Sequence, residues 1–159
     1  MDKDEFKEFC HAEFIKHGFQ KKRSMYYRDG NDGIQCGIWL KKSSYGSTYG
    51  VMILYFIDQS TMTSKYPSHT EYDLIGYIEV MSKITDKGKH FLTGSIDYEL
   101  YTKEELTPYF EKAFNEFILP SVNVGKAYLV AHIDSFRTHH TKTKEDIIHK
   151  LLSIDNGQM

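Results

Sequence analysis

At 159 residues, with 40% apolar and 14% aromatic side chains, the chain can bury a real core without staples and is too apolar for a disordered segment. Its net charge of −2 provides no global field to draw it onto nucleic acid or anionic lipid. Two cysteines, Cys10 and Cys36, are too few for a disulfide framework, and the amino terminus MDKDEFKEF lacks a signal-peptide core. The longest apolar run, residues 51–57, falls far short of the ~20 residues that span a bilayer. These features predict one cytoplasmic α+β domain over residues 1–159, with reduced, buried thiols and no membrane contact.

In chain order, residues 3–17 read as a helix. Phe6, Phe9, Cys10 and Phe14 form one apolar stripe at helical spacing, and Gly18 is a natural stop. Met25 to Tyr27 start a strand, and the turn-rich DGNDG leads into a second, where Ile34, Cys36, Ile38 and Leu40 alternate with Gln35, Gly37, Trp39 and Lys41. The next strand is apolar on both faces from Val51 to Ile57, the pattern of a central strand covered by layers on either side. Residues 58–71 form a long polar loop, a length uncommon unless mobile or functional.

Residues 73–81 and 90–100 read as a fourth and a fifth strand. The fold expected is an antiparallel, meander-like five-stranded sheet covered by the amino-terminal helix and by carboxy-terminal helices. In TKEELTPYFEKAFNEFILP, Thr102 and Glu105 have capping-box spacing, but Pro108 would then lie inside the helix at a cost of ~3 kcal/mol. A helix over 108–119, capped by Thr107 and ended by Pro120, avoids that cost. Residues 125–136 fit helix or strand equally well. Thr143 caps a last helix that closes at Asn156-Gly157, so that residues 121–159 form a helical extension.

No assembled chemistry stands out, and no cofactor is expected. His139 and His140 are adjacent, so both could grip one metal only from a loop, and His132 is too far along a helix to join them. They are weak metal candidates, read instead as a polar connector to the Thr143 cap. Asp97 and Glu99, two apart on a strand, would project from one face as an acid–base pair with His90 nearby, the outline of a small hydrolase. Phosphate-binding glycine loops and the hydrolase nucleophile elbow are absent from the sequence.

Residues 16–42 carry seven basic side chains against Asp29 and Asp32, interleaved with Tyr26, Tyr27 and Trp39. Lys22, Arg23, Arg28, Trp39, Tyr45, Tyr66 and His69 are therefore the candidate binding residues, and a single nucleic-acid strand could track them by charge and stacking. Residues 97–118 carry six acids, Asp97, Glu99, Glu104, Glu105, Glu111 and Glu116, against Lys103 and Lys112. A bipolar surface of this kind suits a protein partner.

The blocks MDKDEFKEFCHAEFIKHGFQKKRSMYY, YPSHTEYDLIGYIEVMSK and YTKEELTPYFEKAFNEFILP resemble a bacterial family classed only as a domain of unknown function, number 4304, over roughly residues 1–120. The resemblance implies a small bacterial α+β domain and brings no active-site residues. The leading expectation is a non-enzymatic protein-binding module of the bacterial cytosol, with an immunity or inhibitor role as its concrete form. The hydrolase and the nucleic-acid binder are the alternatives.

Overall fold

The first helix, α1 (Lys3–Lys16), begins at Asp2, whose carboxylate accepts the Glu5 N–H while the Glu5 side chain accepts the Asp2 N–H. This reciprocal cap satisfies two otherwise unpaired donors. Phe6, Phe9, Cys10 and Phe14 are buried, as their spacing predicts. The computed structural model describes residues 1–153. The expected closure of the last helix at Asn156-Gly157 lies outside the described residues.

Behind α1 runs an antiparallel sheet of seven strands rather than five. Its members are β1 (Gln20–Lys22), β2 (Met25–Asp29), β3 (Gln35–Lys42), β4 (Thr48–Phe56) and β5 (Leu74–Tyr77), in that order. Two further strands join them after the break described next. The expected strand over 73–81 breaks into β5 and β6 (Val80–Met81), and that over 90–100 into β7 (Leu92–Thr93) and β8 (Ser95–Asp97). β6 and β7 pair as a separate ribbon, and β8 returns to pair with β4 beside β5. Gly94 permits this break, because a Cβ there would lie 3.0 Å from the Tyr77 side chain.

The alternation in β3 holds. Ile34, Cys36 and Ile38 face the helices, in one core with the α1 stripe. The opposite face carries a second cluster of Met25, Tyr27, Met52, Leu54, Phe56 and Ile75, covered by Met62 and Tyr66 from the long loop and by Tyr72 just after it. β4 is thus buried on both sides, and that loop is a lid on the sheet.

The second helix corrects the sequence expectation. α2 (Lys103–Ala113) starts at Thr102, in a full capping box with Glu105, and Pro108 sits inside it. The lost bond is offset by the two capping bonds and by burial of Leu106 and Phe110. Nor does Pro120 end the helix. A π-turn (Phe114–Ile118) runs into α3 (Leu119–Val124), and the Glu116 carbonyl, which Pro120 cannot satisfy, accepts the Tyr128 hydroxyl at 3.2 Å. The stop is Gly125, at φ +85, where a Cβ would lie 2.5 Å from Asp32 Oδ2.

The ambiguous stretch becomes α4 (Lys126–Ala131) and a 3₁₀ turn, followed by a short strand, β9 (Arg137–Thr138), that pairs with β5. Residues 121–153 therefore hold helical segments, this added sheet strand and the turn over 139–143 that leads to the last helix. α5 (Lys144–Ser153) is capped by Thr143, which accepts the Asp146 N–H at 3.1 Å. Among the described residues no helix is long and apolar enough to cross a membrane.

Candidate functional site: a basic cleft beside the first helix

Strand alternation divides the basic stretch between two faces of the sheet. Lys21 and Lys22 are neighbours in β1, as are Lys41 and Lys42 in β3, so each pair points to opposite sides. Lys21 and Lys42 reach the helix side. There they meet Lys7, Glu8 and His11 of α1 around an open cleft of about 550 Å³. Its floor is aromatic and aliphatic, made by Tyr26, Leu40 and Tyr49.

The register sets this geometry: Lys21 is the cross-strand partner of Tyr26, and Lys42 of Tyr49. The Lys42 ammonium stands 5.3 Å from the centre of the Tyr49 ring, with Lys7 at 6.0 Å, and Lys21 stands 5.9 Å from that of Tyr26. Such contacts hold the cations over the negative ring faces. His11 Nδ1 and the Tyr26 hydroxyl share a 2.8 Å hydrogen bond. Burial, reinforced by Cys10, pushes the Tyr26 phenol up and keeps it neutral. Among the described residues lining the cleft, Glu8 is the one carboxylate facing three ammonium groups.

None of the seven binding candidates named from sequence lines this cleft. Trp39 stacks on His69, with ring centres 3.7 Å apart, and Tyr66 packs against Tyr27. Lys22 stands over the Tyr66 ring, and the Tyr27 hydroxyl donates to the Pro67 carbonyl. These four candidates fasten the lid to the outer face of the sheet. Arg28 donates to the His17 carbonyl, and Arg23 holds the β1–β2 turn at φ +59. Tyr45, on the β3–β4 turn, is 85% exposed. The sequence reading counted Lys21, Tyr26 and Lys42 within the basic stretch without singling them out, and it missed Lys7, His11 and Tyr49. The spacing of Lys7 and His11 on one helical face was the available signal.

The acid–base constellation is not assembled as a strand pair. Asp97 ends β8 and caps a 3₁₀ turn, its Oδ1 accepting from Ser47 Oγ at 2.6 Å and from the Glu99 N–H at 3.2 Å. Glu99 lies within that turn, so the alternation that would align the two carboxylates stops between them. His90 Nδ1 bonds the Ser82 carbonyl at 2.7 Å. None of the three lines the cleft.

His139 and His140 follow β9 with ring centres 4.2 Å apart, and His139 Nδ1 is engaged by Thr141 at 2.8 Å. Among the described residues no group of three or more His, Cys, Asp or Glu side chains converges to hold a metal ion. Both thiols are buried and free, and burial raises the pKa of each. No family model matches the chain, and neither does any curated protein or solved structure.

Proposed function

We propose that the chain is a non-enzymatic protein-binding module of the bacterial cytosol, and that its recognition surface is the cleft between α1 and β1–β4. The partner is a protein presenting acidic side chains. One observation carries this reading: Lys7, Lys21 and Lys42 converge on a single concave, tyrosine-floored site against one carboxylate. Rim lysines of this kind steer encounter and set specificity more than they add affinity.

Nucleic acid is the weaker reading, because the rings that would stack on bases are engaged. Tyr26 and Tyr49 are buried under lysine ammoniums, and Trp39 is already stacked on His69. An inhibitor or immunity protein is the concrete form of the proposal. Its support is charge segregation: the exposed acids Glu104, Glu111 and Glu116 lie on α2 and the π-turn, outside the cleft, so the cleft lysines are left to meet an acidic partner.

Parallel capture with the tagged protein and its K7E/K21E/K42E variant tests this. A stoichiometric protein held by the parent chain and lost by the variant is expected, with E104K/E111K retaining it. Equal recovery by both, or tight binding of a single-stranded oligonucleotide instead, overturns the reading.

A further inference from the structure

A second cavity lies on the same side of the sheet, between β4–β5 and the turn-rich helical segment that follows α2. It encloses about 370 Å³, within the range of small-molecule sites. Its apolar wall is built from Ile53 and Tyr55 of β4, Phe117 and Ile118 of the π-turn, and Phe136 just before β9. π-turns inside helices frequently mark functional sites. This one has a visible consequence: Phe114 and Ile118 are buried, whereas Phe117 is 48% exposed and still lines the cavity.

One carboxylate, Glu79, sets the charge among the described residues lining this cavity. Tyr128 and His132 stack with ring centres 4.0 Å apart, and His132 Nδ1 lies 2.9 Å from the Tyr128 carbonyl. A carbonyl only accepts, so Nδ1 donates to it, and whenever the ring is neutral Nε2 is an acceptor. The Glu79 carboxylate is a further acceptor, and the Ser135 hydroxyl can serve as one. No lysine or arginine is among the described residues lining the cavity. Arg137 lies in the adjoining cleft, which shares Gly76, Tyr77, Glu79 and Ser135 with it.

We infer that this cavity is a binding site for a small organic amine. The apolar body packs against Ile53, Phe117 and Phe136, and the ammonium is received by the Glu79 carboxylate and the aromatic ring faces. The same wall disfavours a carboxylate of equal size, which would meet the like charge of Glu79. The site does not depend on the basic cleft, and its occupant has the opposite charge.

Titration of the isotope-labelled protein with tryptamine, followed by backbone amide shifts, tests the assignment. Saturable shifts centred on Gly76, Phe117 and His132 are expected. Glu79→Gln, at an exposed position, should weaken binding about tenfold, the worth of one hydrogen bond to a charged group. Phe117→Ala should weaken it as well, with an unchanged circular dichroism spectrum in both variants. Indole-3-acetate, the same ring carrying a carboxylate, should not compete. Unmoved amides with both tryptamine and phenethylamine, undiminished affinity in E79Q, or equal binding of indole-3-acetate overturns the inference.

Discussion

The Asp73 carboxylate and the Lys142 ammonium meet at 2.5 Å across 69 residues of chain, and this contact ties the end of the lid to the segment leading into α5. Asp73 is 2% exposed and also accepts the Ile57 N–H at 2.7 Å and the Lys150 ammonium at 3.1 Å. Its backbone carbonyl accepts the His139 N–H. One buried aspartate therefore joins β4, the lid, β9 and α5.

Removing that carboxylate leaves a buried N–H unmet and two ammoniums facing each other. Asp73→Ala is expected to destabilise by about 2 to 3 kcal/mol, below the cost of breaking a fully buried pair because the lysines keep part of their surface in water. Asp73→Asn, which can still accept the Ile57 N–H, should lose less. Urea denaturation midpoints report both, and a D73A midpoint equal to that of the parent chain would refute the hub role.

Two threonines compete in the sequence for the start of α2, and they separate cleanly by mutation. Thr102→Ala removes the capping bond to the Glu105 N–H and should cost about 1 kcal/mol. Thr107→Ala removes only a back-bond to the Lys103 carbonyl and should cost much less. The reverse order in thermal melts would place the helix start where the proline rule puts it.

His69 makes the lid sensitive to acid. Burial first, and then the nearby Lys41 charge, lower its pKa below the ordinary 6.5. The unfolded chain then takes up the proton before the folded one does. The contribution is complete above about pH 6.5 and declines as the pH falls through and below that value. Melts between pH 5 and 7 should show this slope, and His69→Gln should flatten it. A histidine resonance titrating above 6.5 at this position would contradict the account.

Cys10 and Cys36 should be inert in the native protein. Both thiols are buried, and desolvation raises the pKa of each, so little thiolate exists at pH 8. Labelling by a thiol-specific disulfide reagent is expected only after addition of denaturant. Fast stoichiometric labelling without denaturant would show that at least one of them is reachable.

Local order was legible in the chain wherever a repeating pattern meets one neighbour. The Phe6–Phe14 stripe and the alternation of β3 follow from periodicity, because a side chain's direction depends only on its own backbone, and the two-sided burial of β4 follows from its unbroken apolar run. The Thr143 cap was legible for the same reason. The proline rule failed at Pro108 and Pro120 because distant or reciprocal partners, the Thr102–Glu105 box and the Tyr128 hydroxyl, offset the lost bonds. β9 was invisible because two residues carry no period, and its pairing with Leu74 and Ile75 is set across the whole second half of the chain.

What the sequence determined by itself was the class of fold, the central strand and the local charge of residues 16–42. Tertiary structure decided which of those charges act together. Alternation sends Lys21 and Lys42 to one face and Lys22 and Trp39 to the other, and α1 brings Lys7 and His11 across to complete the cleft. The physical reason is range: helix stripes and caps are set by neighbours within a turn, whereas a site is a meeting of side chains whose separation only the packed sheet defines.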